Sequence, residues 1–227
     1  MGQLSSYDVL KITNRLPKTV RDLLKSNPGT ILGGGFIRDT IMGEKPSDID
    51  LFCGSHQAGD VLAAKLMDGE KNLFRTQNAI TIVGKGERGL PIQIITRWVF
   101  PGVKDCIASF DFTMAAAGIE YKEGAWLSEC HESYYQDLAA KRLIYTNPQR
   151  EEEAGGSMLR LLKFYRRGWT CPLSTVSQVM NRIVESIEKD ANGRPTDSIG
   201  MEALIRAKLV EVDPLLDPDH IIHEGTV

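Results

Sequence analysis

The stretch ILGGGFIRDTIMGEKPSDIDLFC, residues 31–53, decides the fold. It starts as a short apolar strand, which three consecutive glycines end at once. Residues 36–42 have the apolar periodicity of a short helix, and after a polar loop residues 48–52 form a second strand that carries two aspartates. A segment with only a structural role does not require glycines and carboxylates in this order, so the pattern indicates a binding site.

The glycines and the aspartates suit two parts of one ligand. Gly34 and Gly35 let the backbone approach a ligand closely, and the helix that follows them presents unpaired N–H groups that attract phosphate. Asp48 and Asp50 stand two positions apart on the predicted strand, so both carboxylates are expected on one face. Two carboxylates at one point favour Mg²⁺, which completes its coordination with water and phosphate oxygens. The pattern therefore indicates phosphoryl transfer from a triphosphate.

The composition is that of an ordinary globular protein. Of the 227 residues, 42% are hydrophobic and 25% charged, and the formal net charge of −3 argues against holding nucleic acid through a general positive field. The four cysteines form no CxxC pair, which argues against a zinc knuckle. The sequence shows neither a secretory signal nor an apolar run long enough for a membrane span. We therefore expect a cytoplasmic protein that does not contact membranes.

The secondary-structure pattern changes near residue 150. Helices alternate with strands over residues 1–150, helical patterns alone occupy 151–212, and 213–227 read as a tail. The expected fold class is α+β, a mixed sheet flanked by helices and followed by a small helical region. Three of the predicted elements are one opening helix over residues 5–25, a strand over 107–110 and a helix over 113–118.

Four short motifs carry a resemblance to a known family. They are GGFIRD at residues 34–39, SDIDLF at 47–52, SFDFTMAAAG at 109–118 and SMLRLLKFYRRG at 157–168. Together they resemble the signatures of the DNA polymerase beta-type nucleotidyltransferase superfamily. Within it, the likeness is greatest to the head and neck of bacterial-type tRNA CCA-adding enzymes and poly(A) polymerases. The resemblance implies a nucleotidyltransferase head over 1–150 and a neck-like extension over 151–212.

The resemblance also implies roles for individual residues. Gly34 and Gly35 would hold the phosphates of a bound NTP, with Arg38 near them. Asp48 and Asp50 would bind two Mg²⁺ ions, one activating an acceptor hydroxyl and the other steadying the pyrophosphate that leaves.

Three further residues receive roles in the same way. Asp111 would reach the ribose or the acceptor end, and Arg160, with Lys163, would face the nucleotide from the neck. Plainer interpretations stay open. Arg38 could lie with Asp39 on an ordinary helix surface, Asp111 could satisfy backbone donors at a helix N-terminus, and Arg160 could belong to a solvated basic face.

Two positions depart from the pattern of this superfamily. Gln93 occupies the place where many members have a third carboxylate, and glutamine carries no charge. Phe110 occupies the place of a usual arginine, which removes a cation that could hold a phosphate.

The expected activity is transfer of a nucleoside monophosphate from an NTP to a hydroxyl acceptor, most simply the 3′ end of an RNA such as tRNA. Nucleotidylation of a protein or a small molecule is the alternative among enzymes. A catalytically silent module that binds a nucleotide or RNA and inhibits or partners another protein is an alternative of a different class, and Gln93 and Phe110 favour it. The sequence leaves the oligomeric state open.

Overall fold

The computed structural model of the chain describes residues 1–67, 71–84, 89–146, 148, 154–189, 193 and 200–210. Contacts divide the chain into two compact units, Met1–Leu138 and Ala139–Val227. The predicted tail over 213–227 lies outside the described residues. Within the described part, no helix has both the length and the apolar character that crossing a bilayer requires.

The first unit contains the sheet and most of the helices that flank it. Its helices are α1 (Ser6–Arg15), α2 (Lys18–Ser26), α3 (Gly35–Ile41), α4 (His56–Leu66), α5 (Val103–Ala108) and α6 (Tyr134–Ala139), the last ending at the start of the second unit. Its strands are β1 (Ile31–Gly33), β2 (Ile49–Phe52), β3 (Lys71–Arg75), β4 (Ala79–Gly84), β5 (Ile92–Ile95), β6 (Ala117–Lys122) and β7 (Ala125–Cys130). A single 3₁₀ turn, Thr113–Ala115, precedes β6.

The second unit is helical in its described residues. Its helices are α7 (Gly155–Arg166), α8 (Leu173–Glu185) and α9 (Met201–Val210). They coincide with the helical patterns that the sequence shows after residue 150. The helices pack closely, because a Cβ atom at Gly155 of α7 would collide with the backbone oxygen of Lys208 in α9.

The described strands form one mixed sheet in the order β3-β4-β5-β2-β1-β6-β7. Only the pairing of β2 with β5 is parallel among these strands, and the other neighbours are antiparallel. This arrangement confirms the predicted α+β fold class with a mixed sheet flanked by helices. It also places β1 and β2, the two strands of the opening motif, side by side at the middle of the sheet.

Helices cover the two faces of the sheet unequally. On β2, Ile49 and Leu51 are fully buried, while Asp50 between them is partly exposed. We name the two faces after the helices that pack on them. On the α4 face, Gly59 of α4 lies against Ile94 of β5. On the α5 face, which carries Asp50, α5 packs on β1, β6 and β7.

Three predicted elements differ from the structure. The opening helix is interrupted at Pro17, which ends α1 and stands at the N-cap of α2, where a missing N–H costs nothing. The predicted strand over 107–110 is wrong, because Ile107 lies in α5, Ser109 is the C-cap of that helix and Phe110 follows it outside any strand. The predicted helix over 113–118 is also wrong. Its residues form the 3₁₀ turn and the start of β6, where α5 leaves no room for a side chain at Gly118.

The close packing of α5 on β6 predicts the effect of Gly118→Ala. A Cβ atom at Gly118 would lie 2.7 Å from Val103 Cγ2 and 3.2 Å from Ile107 Cγ2, so α5 must shift to admit it. We expect the variant to lose about 1–3 kcal/mol in the free energy of unfolding, measured by urea denaturation.

Gly156→Ala is the control for this change, since nothing lies within 4 Å of a Cβ atom there and alanine is the better helix former. A Gly118→Ala protein as stable as the wild type would contradict the packing described for α5.

The cysteines provide a second prediction. All four are free thiols, and burial raises the pKa of Cys53 from 9.0 to about 11. The folded state therefore keeps this thiol protonated, and the stability gained in this way is present below pH 9 and lost as the pH rises through 11. At pH 8 we expect iodoacetamide to modify Cys53 about 100-fold more slowly in the native protein than in urea, followed by peptide mass spectrometry. Equal rates in the two states would contradict the burial of Cys53.

Candidate active site

The glycine turn and one of the aspartates lie side by side. Gly33 of β1 pairs in antiparallel register with Asp50 of β2. A Cβ atom at the next residue, Gly34, would lie 3.3 Å from Asp50 Oδ2. Gly34 has a φ of +72° and a ψ of −138°, a conformation that is essentially restricted to glycine. Glycine is therefore required at this position both by the backbone and by the neighbouring carboxylate.

Asp48 stands immediately before β2 and is partly exposed, like Asp50. Its Oδ1 accepts a hydrogen bond of 2.9 Å from the Ser47 hydroxyl. The buried neighbour Ile49 anchors this part of the chain in the core. The core residues of β2 thus hold the segment that carries both carboxylates.

Arg38 lies across the other side of the glycine turn. Its Nη2 is 3.3 Å from the position of a Cβ atom at Gly35. Its Nε donates a hydrogen bond of 2.7 Å to Asp39 Oδ1, and its Nη1 lies 3.5 Å from Met114 Sδ. Arg38 and Asp39 are only 8% and 7% exposed, so they do not belong to an ordinary helix surface. This ion pair fixes the guanidinium beside Gly35.

Two polar groups in this region have no hydrogen-bond partner among the described residues, the hydroxyls of Thr40 and Tyr134. Burial raises the pKa of Tyr134 far above its ordinary value, and the positive charge of Arg38 opposes that shift. Tyr134 is therefore a neutral phenol within the electrostatic reach of Arg38.

The two departures from the superfamily pattern both adjoin the candidate site. Gln93 of β5 pairs in parallel register with Asp50 and is partly exposed. The ring of Phe110 comes within 3.2 Å of a Cβ position at Gly33 and 3.6 Å of the one at Gly34. An aromatic ring and a neutral amide therefore stand where the superfamily pattern has an arginine and a carboxylate.

Asp111 is buried, at 2% exposed, and directly follows Phe110 in the chain. The turn after it is held by Thr113, whose hydroxyl donates a hydrogen bond of 2.7 Å to Asp137. The helix that Asp111 was expected to precede is a single 3₁₀ turn, and the alternative role of satisfying backbone donors there also stays a prediction. Its proposed role toward the ribose or the acceptor stays a prediction.

Arg160 and Lys163 lie on α7 of the second unit, and both are partly exposed. Their predicted approach to a nucleotide stays a prediction.

Sequence reasoning did not assign Asp39 or Met114 to the site, although both contact Arg38. The RD pair within GGFIRD was the available signal for Asp39, whereas nothing in the sequence marked Met114.

The side chains of the candidate site fit Mg²⁺ that arrives with a substrate. Within the described residues, no group of three or more His, Cys, Asp or Glu side chains could hold a metal ion. Asp48 and Asp50 offer two carboxylates, and Gln93 offers a neutral amide oxygen beside Asp50. Mg²⁺ is commonly held by one or two carboxylates, with phosphate oxygens and water at its other positions. The donor set suits that mode of binding rather than a preformed metal cage.

Sheet order, glycine turn and adjoining aspartate define a nucleotidyltransferase fold, and solved structures agree. The Thermotoga maritima CCA-adding enzyme in complex with tRNA matches with a TM-score of 0.56 at 18% identity, over 92% of this chain and 51% of that one. A CCA-adding enzyme in complex with ATP gives 0.60 at 19% identity, over 94% and 51%. Another with CTP gives 0.57 at 17%, over 92% and 50%. This likeness shows the fold alone, and the chain spans about half the length of these proteins.

Residues 3–141 match the profile of a family described as Gad2, Gabija anti-defense 2. The chain therefore belongs to the Gabija anti-defense 2 family. The sequence motifs indicated the fold of this chain but not its family. No curated protein matches the chain.

The geometry at Gly34 predicts the effect of Gly34→Ala. Alanine would strain the backbone, at about 1–3 kcal/mol, and its methyl group would crowd Asp50 Oδ2. We expect a clear fall in the melting temperature, measured by differential scanning fluorimetry.

Gly43→Ala is the matched control, because Gly43 has a φ of +75° but nothing lies within 4 Å of a Cβ atom there. Gly34→Ala should lower the melting temperature more than Gly43→Ala does. The opposite order would show that Gly34 and Asp50 are not in close contact.

Proposed function

We propose that the chain is a Mg²⁺-dependent nucleotidyltransferase and that this activity serves the anti-defense role named by its family. It transfers a nucleoside monophosphate from an NTP to a hydroxyl acceptor and releases pyrophosphate. The observation that carries the proposal is that Asp50 Oδ2 lies 3.3 Å from the position that a Cβ atom at Gly34 would occupy. This distance supports the proposal because it puts the carboxylate that would bind Mg²⁺ next to a backbone turn with no side chain to block a phosphate chain.

Each residue of the site has a part in this reaction. The turn at Gly34 and Gly35 accepts the triphosphate, because no side chain blocks its approach to the backbone. Arg38, held by Asp39, adds positive charge beside the turn. Asp48 and Asp50 would hold the two Mg²⁺ ions, which supply Lewis acidity at the acceptor hydroxyl and charge neutralisation at the leaving pyrophosphate.

The covalent change is a single displacement at phosphorus. The acceptor oxygen forms a bond to the α-phosphorus, the bond from that phosphorus to the pyrophosphate oxygen breaks, and the hydroxyl proton is lost to solvent. Asp111 is proposed to contact the ribose or the acceptor end, and Arg160 and Lys163 are proposed to contact the nucleotide.

An RNA 3′ end is the acceptor that we propose, and a tRNA-like end fits best. The support is the fold shared with CCA-adding enzymes, one of which was solved with tRNA and others with ATP or CTP. A protein or small-molecule hydroxyl is the other acceptor to test.

The proposal predicts that Asp48→Asn combined with Asp50→Asn abolishes transfer. The change preserves side-chain size and removes the two charges that Mg²⁺ requires. We expect activity to fall at least about 100-fold, since metal catalysis contributes several kcal/mol and about 1.4 kcal/mol corresponds to a factor of ten. The assay follows each α-³²P-labelled NTP with Mg²⁺ and total RNA, on gels that resolve RNA from protein.

Asp22→Asn, on the exposed surface of α2, is the control. It makes the same type of substitution away from the candidate site and should retain full transfer. Label in RNA supports an RNA 3′ end as the acceptor, and label in protein supports a protein hydroxyl. Undiminished transfer by the double variant would sink the assignment of the metal site.

A silent binding module is the second candidate, and the positions of Phe110 and Gln93 favour it. The Phe110 ring adjoins the turn that phosphates must approach, and Gln93 removes a charge beside Asp50. In this case the protein binds NTP, transfers label to neither RNA nor protein, and acts by binding and inhibiting another protein. Retained NTP binding without label transfer is the result that identifies this function.

A further inference from the structure

A line of side chains crosses the sheet from Asp50 to its outer edge. Asp50 of β2 pairs with Gln93 of β5, Gln93 pairs with Thr81 of β4, and Thr81 pairs with Phe74 of β3. Residues paired across strands point to the same face of a sheet. The four side chains therefore lie in one row on the α5 face, which we call the Asp50 row.

The outer part of the Asp50 row is open to solvent. α5 contacts β1, β6 and β7, which lie on the other side of Asp50. Gln93 and Thr81 are partly exposed, and Phe74 at the end of the row is 58% exposed. On the opposite face of the same strands α4 contacts β4 and β5, and Arg75 of β3 forms an exposed ion pair of 2.7 Å with Asp60 of α4. Phe74 is thus turned away from α4.

We propose that Phe74 binds the acceptor by stacking an unpaired RNA base, which rests on the proposed nucleotidyltransferase function. Strands in a sheet lie about 4.8 Å apart, so Phe74 stands about 14 Å from the Asp50 position along the row. An acceptor whose terminal hydroxyl reaches Asp50 can extend along this row. Phe74 then takes a base upstream of the terminal nucleotide.

The chemistry of the row suits a nucleobase and its sugar. The face of an exposed aromatic ring stacks with any base, because every base has a π-face. Thr81 and Gln93, between Phe74 and Asp50, offer uncharged hydroxyl and amide groups that can bond to ribose hydroxyls or base edges. The chain has a net charge of −3, so stacking would supply affinity that a general positive field cannot.

The test measures binding of a fluorescein-labelled single-stranded RNA of mixed sequence in the absence of NTP. Phe74→Ala should weaken binding roughly 5- to 150-fold, the range that one stacked base contributes. Phe74→Trp should restore it. The slope of affinity against salt concentration should stay unchanged, because the substitution removes no charge.

Leu73→Ala is the matched control, because Leu73 precedes Phe74 on the same edge strand, is 37% exposed and points to the α4 face. It should leave RNA binding within about twofold of the wild type. Melting temperatures of all variants show whether loss of binding is separate from loss of fold. Equal effects of Phe74→Ala and Leu73→Ala, or no RNA binding by the wild type, would overturn the inference.

Kinetics separate this inference from the proposed function. In the label-transfer assay, Phe74→Ala should raise the KM for RNA while the KM for NTP stays unchanged. Transfer with an unchanged KM for RNA overturns the role of Phe74 and leaves the enzyme proposal standing. RNA binding that depends on Phe74 in a protein that transfers no label supports the stacking site and rejects only the catalytic proposal. If Phe74→Ala abolishes transfer of label to protein and leaves RNA binding unchanged, the proposal that the Asp50 row binds RNA is overturned.

Discussion

The close approach of Asp50 to a residue without a side chain is the constraint on which the candidate site depends. Gly34 holds a backbone conformation that other residues adopt only with strain, and Asp50 Oδ2 occupies the space next to it. The antiparallel pairing of Gly33 with Asp50 brings the two segments together. The backbone hydrogen bonds between β1 and β2 therefore fix the distance between the glycine turn and the carboxylate, which any ligand that contacts both must match.

Sheet order explains how one face becomes a site and the other a core. The α4 face of β2 and β5 carries buried aliphatic residues, whereas the opposite face carries Asp50 and Gln93. On that face α5 packs on β1, β6 and β7 and reaches Phe52 near the end of β2, while Asp50, two residues earlier on β2, is partly exposed. Phe110, which follows α5, closes the covered side against the glycine turn. The candidate site therefore lies next to the part of the sheet that α5 covers.

Local pattern was enough to predict β1, α3 and β2, because glycine, helix periodicity and strand alternation all agreed there. It failed at α5 and at the start of β6. A short apolar run fits a strand or a buried helix equally well, and the need for glycine at position 118 follows only from the close packing of α5 on it. Asp39 was missed for a similar reason. The sequence places it next to Arg38, but the burial of the pair depends on residues far along the chain, such as Met114.

The buried pair of Arg38 and Asp39 affects what the motif can reveal about evolution. Removing one partner of a buried ion pair costs roughly 3–5 kcal/mol, a large part of the stability of a domain. Natural selection for a folded chain would therefore preserve this pair in a descendant that had lost all chemistry. The partly exposed Asp48 and Asp50 lack that protection by burial. Under the proposed function, retention of these two carboxylates among relatives of this chain would therefore indicate catalytic activity more specifically than retention of the glycine and arginine motif.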